Sequence, residues 1–124
     1  MFQIKHFLDP VEKNDGRRIW IEPFGLVNDL RQWCSVNELL PHLAPPRELW
    51  EWFEQHPDGY EFFRGRYHEW LSSSPHRQAM LQLVKRSRRE TVTLLHQGDD
   101  PAHNTATALH EFLGELEAYC PPEA

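Results

Sequence analysis

The sequence predicts an α/β fold: a small three-layer, mostly parallel sheet of three to four strands flanked by helices. Three observations lead there. Short segments with strand character stand near residues 2–6, 18–22 and 91–96. The long stretch between the second and third carries apolar residues at helical spacings of three and four. A last helical pattern follows the third. Strands separated by helices are usually parallel and joined by right-handed crossovers.

At the start, Phe2, Ile4 and His6 alternate with Gln3 and Lys5, a short strand signal. Asp9-Pro10 opens a polar loop that runs through the turn Asn14-Asp15-Gly16. Residues 18–22, Arg-Ile-Trp-Ile-Glu, form the second strand and Pro23 closes it. So much helix follows that this strand is expected to be buried on both faces. A short helix fits residues 26–33, and Ser35 caps a turn that ends at Pro41. Pro45-Pro46 opens a helix, since proline is tolerated in a first turn; Leu49, Trp52 and Phe53 share its apolar face and His56-Pro57 stops it. Trp50 and Trp52 cannot both face inward, so one of them is expected at the surface.

Asp58 caps the next helix, whose apolar positions are Phe62, Phe63, Tyr67, Trp70 and Leu71. Ser72-Ser73-Ser74 breaks the chain, and Ser74 with Pro75 starts a third helix as cap and first residue. That helix turns Met80, Leu81, Leu83 and Val84 inward and ends on Lys85, Arg86, Arg88 and Arg89, which suits the helix dipole. Residues 91–96 are the clearest strand, and Gln97-Gly98-Asp99 is a tight loop. Asp100-Pro101 reads as cap and first turn of a final helix running to Tyr119, with Ala106, Leu109, Phe112, Leu113 and Leu116 as its buried stripe. Pro121-Pro122 ends the ordered chain.

A length of 124 residues fits one domain, residues 1–124. Five Trp residues and an aromatic content of 12% argue against disorder. The 19 acidic and 13 basic residues give a net charge of -6, which makes a nucleic-acid partner unlikely as a general role. No apolar run is long enough for a membrane helix and the N-terminus has no signal-peptide core, so no membrane partner is expected. Cys34 and Cys120 are far apart and form no CxxC, as expected of reduced thiols in a bacterial cytoplasm. No Walker loop, GxGxxG, GxSxG or paired metal motif occurs, so neither cofactor nor metal is expected. His96, Asp100 and His103 match no established metal spacing.

Four groups of residues carry a resemblance. They are Leu43-Ala44-Pro45 with Glu48-Leu49 and Trp52-Phe53; His56-Pro57; Phe63 with Arg66-Tyr67; and Val92-Thr93-Leu94-Leu95 followed by Asp100 and His103-Asn104. In this order and spacing the chain resembles the YeaO-like family, the domain of unknown function 488, as a divergent member. The resemblance implies the α/β fold, with the strand over 16–22 in the place of the family's second strand, but no agreed activity. After that strand the family typically reads Asp-Arg-Leu-Trp-Pro-Arg-Gly, whereas this chain reads Glu22-Pro23-Phe24-Gly25-Leu26-Val27-Asn28. The acid survives as Glu22. Both arginines are absent, so any anion binding they perform in relatives is lost here or supplied elsewhere.

In open α/β sheets ligands bind beyond the carboxyl ends of the strands. Here those ends carry Glu22, His96 and Gln97, and the last helix starts immediately after, with Asp100, His103 and Asn104. A helix N-terminus offers free N–H groups and partial positive charge. If the two strands are neighbours, these residues converge on a site for a small polar or anionic ligand, with His103 and Glu22 available for proton transfer. Arg66, part of the resemblance, is expected to brace that site bidentately. His103 and Asn104 have a plainer reading as residues that bond the loop and fix the helix start. Three functions stay open: a ligand site, catalytic or not; a non-catalytic interaction module, such as a homodimer; and local nucleic-acid contact through Arg64, Arg66 and residues 85–89.

Overall fold

A computed structural model describes residues 1–120, Ser74 by its backbone alone. The elements are β1 (Phe2–His6), β2 (Arg17–Trp20), α1 (Asn28–Trp33), β3 (Glu38–Leu39), a 3-10 turn (Pro41–Leu43), α2 (Arg47–Gln55), α3 (Tyr60–Leu71), α4 (Ser74–Ser87), β4 (Val92–His96) and α5 (Thr105–Tyr119). The sheet order is β1-β4-β2-β3 and every pairing is parallel. The last strand in sequence therefore lies between the first two. All five of its residues are buried, which accounts for the unbroken Val-Thr-Leu-Leu run.

The two faces of the sheet are covered unequally. Ile19, Ile21, Val92 and Leu94 pack against Phe63, Tyr67 and Leu71 of α3, Met80, Leu83 and Val84 of α4, and Ala106, Leu109 and Leu113 of α5. Trp20 and Leu95 face the other way, onto Phe7, Cys34 and Val36, with Leu26 and Leu30 partly buried beside them. This thin layer is α1 plus the loop from residue 7 to 16. The Trp20 indole N–H donates to the Phe24 carbonyl at 2.6 Å, so the buried ring leaves no donor unpaired.

A buried polar knot ties that loop to the sheet. Arg18 is 1% exposed and Asp15 likewise 1%. Arg18 Nη1 meets Asp15 Oδ2 at 2.8 Å, Nη2 donates to the carbonyls of Phe7, Asp9 and Cys34, and Nε donates to the Ser35 carbonyl. Asp15 also accepts from Lys5 Nζ, Gln3 Nε2 and the Glu12 amide. The Thr93 hydroxyl donates to the Asp15 carbonyl at 2.7 Å. A charge is tolerated inside because its hydrogen-bonding groups find partners there.

The structure differs from the sequence expectations at several points. The second strand ends at Trp20, and Ile21 and Glu22 continue past it as buried coil. The turn expected after Ser35 contains an edge strand, β3, which pairs only with Ile19 and Trp20. Gly59 rather than Asp58 precedes α3, and Ser73 rather than Ser74 precedes α4. Leu81 is only half-buried, and Trp50 and Trp52 are both half-buried. The exposed indole is Trp33, at 76%. The final helix begins at Thr105, because Asn104 and not Asp100 is its cap. The stop expected at Pro121-Pro122 lies outside the described residues. No helix among the described residues is long and apolar enough to cross a membrane.

Candidate functional site

β2 and β4 are direct neighbours, with Trp20 opposite Leu95. Two residues further on, the Gln97 amide donates to Glu22 Oε2 at 3.3 Å. The sheet thus brings Glu22 and Gln97 together at its carboxyl end. Glu22 is 3% exposed. Its other oxygen, Oε1, is buried without a hydrogen-bond partner. Burial pushes the Glu22 carboxyl above its usual range; the Thr105 hydroxyl, the Gln97 amide and the Trp50 indole oppose that, and the charge of Glu54 adds to it. Thr105 and Trp50 favour the charged form from nearby, yet no bond of normal geometry reaches Oε1.

A buried carboxylate with a free oxygen costs stability, and the cost has a pH signature. A carboxyl whose pKa is raised on folding favours the folded state at low pH. That contribution is lost as pH rises through the folded value. Chemical unfolding of the wild type and of Glu22→Gln, from about pH 8 down to about pH 4.5, should show the stability difference shifting toward the wild type as pH falls. Equal slopes would mean that Glu22 titrates alike folded and unfolded.

The loop after β4 is fixed from both sides. The His96 ring is buried, its Nδ1–H donates to the Gly98 carbonyl at 3.0 Å, and its ring meets His6 edge-on at 5.4 Å. Burial, then the neighbouring His6 ring, lowers the His96 pKa. His6 Nε2–H donates to the Gln97 carbonyl at 3.0 Å and its Nδ1 accepts from the Leu8 amide. His96 therefore belongs to the β1 side, where it lines a hollow with His6, Lys5, Asp9 and Asp99.

On the other side Asp100 accepts from the Ala102 amide at 2.9 Å and from His103 Nδ1 at 2.8 Å. Those bonds, the Ala102 amide first, hold its carboxyl below the usual range. Asn104 is buried, donates to the Asp100 carbonyl and accepts from the Thr107 amide, both at 2.9 Å. Asn104 spends both ends of its side chain on the loop and the helix start, as the plainer reading expects. His103 lies outside the helix, exposed, with its ring 4.8 Å from that of Tyr60.

Between this loop and the end of α2 lies a cleft of about 470 Å³, lined by Phe53, Glu54, Pro57, Gln97, Gly98, Asp99, Asp100 and His103. It gathers Gln97, Asp100 and His103 from the expected set, with Glu22 behind the wall. Arg66 is not among them. It lies on a separate groove between α2 and α3, exposed, with its guanidinium 5.2 Å over the Phe62 ring. The sequence marks Phe53 as part of a helix face and Pro57 as its stop, but nothing local says that the end of α2, with Glu54, meets the loop after β4. Asp99 follows Gln97 and Gly98 in the loop that the sequence places after the last strand. Among the described residues, no three His, Cys, Asp or Glu side chains are placed to hold a metal ion. Of the basic groups read as nucleic-acid contacts, Arg64 pairs with Glu61 and Glu111, and Arg86 with Glu38 at 2.6 Å.

Sequence comparison fits this architecture. The uncharacterized protein Rv3073c of Mycobacterium tuberculosis is 26% identical over 117 residues, covering 90% of this chain and 92% of its own. The uncharacterized protein YeaO of Escherichia coli is 26% identical over 114 residues, covering 92% and 97% respectively. No solved structure matches the chain. Residues 1–119 match the family described as the inactive DUF488-N3 subclade, and the chain belongs to that branch of the domain of unknown function 488.

Proposed function

We propose that the protein binds a small polar ligand, without transforming it, in the cleft at the carboxyl ends of β2 and β4. The observation that carries this reading is Glu22: a carboxyl group only 3% exposed, with one oxygen unpartnered and the other bonded to the amide of Gln97 in the cleft wall. Such a group is retained against stability, and groups of that kind gather at functional sites. The cleft volume falls in the range usual for small-ligand sites.

Absence of turnover is supported by the chemistry present. Glu22 is shut away from solvent, and His103 is occupied by Asp100. The two arginines that the resemblance leads one to expect after the second strand are absent, and the subclade that the chain matches is described as inactive. The two free thiols, Cys34 and Cys120, suit a reducing cytoplasm.

The test is amide-resolved NMR of the full chain against a fragment set containing acids, bases and neutral compounds. Perturbations are expected at residues 53–57 and 97–104, with the fragment recovered unchanged. Hits confined to other surfaces, or conversion of the fragment, would overturn the reading.

A second reading, a non-catalytic module that associates with a copy of itself, draws on one feature. Trp33 at 76%, Val27 at 72%, Val11 at 56% and Leu8 at 53% exposure are large apolar groups on the thin layer, three of them in or next to the hollow lined by Phe7, Leu8, Pro10, Val11 and Trp33. Sedimentation equilibrium that finds only monomer at high concentration would end it.

A further inference from the structure

The loop after β4 is held by two imidazoles, and each holds it through one tautomer. We propose that His6 and His96 form an acid-sensitive clasp, which fixes Gln97 and Gly98 at neutral pH and lets them go in mild acid.

Each neutral ring has only one place for its proton. A carbonyl oxygen only accepts, so the ring nitrogen that faces one must donate. His6 Nε2 faces the Gln97 carbonyl at 3.0 Å, and His96 Nδ1 faces the Gly98 carbonyl at 3.0 Å. His6 Nδ1 is then an acceptor, and it takes the Leu8 amide at 3.2 Å. The rings come from opposed positions of β1 and β4, lie edge to face, and have their centroids 5.4 Å apart. Two neighbouring strands thus grip successive carbonyls of one loop through opposite tautomers.

Acid works against this arrangement. A proton on His6 Nδ1 turns that nitrogen into a donor, and the Leu8 amide loses its acceptor. A proton on His96 has to be carried by a residue only 4% exposed. Protons on both rings place two like charges side by side, and burial of His96 weakens the screening between them. Burial first, and the neighbouring His6 ring second, lower the His96 pKa from 6.5. A ring held below its free value binds its proton more readily once the loop opens, so acid favours the open form as pH falls through about 6.5.

The surrounding charges do not undo this. Asp9 accepts from the His6 amide at 3.0 Å and its charge favours a proton on His96, but burial and His6 outweigh it. Lys5 is committed to Asp15, Glu12 and the Pro10 carbonyl. Asp99 is exposed and lines the same hollow as the two rings. From the thin layer, Arg18 donates to the Asp9 carbonyl. Beyond β2, Glu22 holds the Gln97 amide, and α5 presents His110 to Phe2 at the other end of β1. Gln97 and Gly98 also line the cleft, so the clasp sets the shape of that wall. It needs no ligand there.

The experiment is ring-nitrogen and amide NMR of the full chain from about pH 8 to about pH 5. At the upper end His6 is expected in the Nε2–H form and His96 in the Nδ1–H form. On acidification the Leu8 amide should shift with the His6 titration, and the Gln97 and Gly98 amides with the His96 titration. His6→Gln should move the His96 midpoint upward, because the two rings titrate as a pair. A His96 ring that carries its proton on Nε2 at the upper end would overturn the proposal. So would Gln97 and Gly98 amides that stay fixed through both titrations, or a His96 midpoint that His6→Gln leaves in place or lowers. The tautomers and the amide shifts are read on the wild type, so they decide the matter even where the variant fails to fold.

Discussion

Arg18→Met is expected to lower the unfolding free energy by about 3–5 kcal/mol, the usual cost of removing one partner from a buried ion pair. The reason is local. Methionine fills much of the space but leaves the carbonyls of Phe7, Asp9, Cys34 and Ser35 without the guanidinium that now serves all four. Ser35 itself sits at φ 54, a left-handed conformation that an ordinary residue adopts only when its surroundings impose it. Asp15 keeps Lys5, Gln3 and the Glu12 amide but loses its shortest charged contact. Urea unfolding of Arg18→Met, Asp15→Asn and the double variant measures the coupling. The double variant should lose much less than the sum of the singles. A loss below about 1 kcal/mol for Arg18→Met would show that water replaces the guanidinium.

The same knot sets an acid limit. Burial works to raise the Asp15 pKa, but Lys5, the Glu12 amide and Arg18 outweigh it, and the net shift is downward from 3.8. A carboxyl depressed on folding contributes stability above its unfolded value, and that contribution disappears as pH falls through the folded one. Asp15→Asn should therefore flatten the stability curve below about pH 4.

Gly16→Ala is the second large effect. Gly16 has φ +62, and an added Cβ would lie 2.1 Å from the Thr91 carbonyl oxygen and 2.9 Å from its carbon. That obstacle is backbone at the entrance of β4, held by the Arg17 amide on the Thr91 carbonyl at 3.0 Å. Nothing flexible can yield. The combined strain and clash should cost on the order of 3 kcal/mol, which in a domain of this size moves the melting temperature by roughly 10 °C. Gly114→Ala provides the contrast. It lies within α5 with nothing near its added carbon, so alanine should raise stability by about 0.5–1 kcal/mol. Equal melting temperatures for the two variants would contradict the account of Gly16.

What the sequence discloses here depends on how local the cause is. β1 and β4 announce themselves by composition and alternation, and α2, α3 and α4 by apolar spacing and proline starts. β3 does not, because two residues carry no period and its pairing with Ile19 and Trp20 is tertiary. The start of α5 misleads for a chemical reason. Asp100-Pro101 has the composition of a cap and first turn, but the Asp100 carboxylate closes its own tight turn instead, and the cap falls to Asn104. Half of the site follows from strand order alone, since neighbouring parallel strands bring Glu22 to Gln97. Its acidic wall does not, because Glu54 arrives on a helix whose position only the packed core determines. The resemblance included Arg66, but α3 turns it toward Phe62 and another groove. Arg18 reads as an ordinary strand residue; its five partners are spread from Phe7 to Ser35.

The position of β4 has a bearing on how the chain is made. β1 and β2 share no ladder; each hydrogen-bonds to β4, and β3 is held only through β2. During synthesis the N-terminal strand waits for a partner encoded some ninety residues later. Until that segment leaves the ribosome, the early strands have one small pairing, between β2 and β3, and exposed edges. Assembly of the sheet is thus a late, nearly all-or-none event, and a translation product cut before Val92 would be a substrate for chaperones or proteases rather than a partial fold.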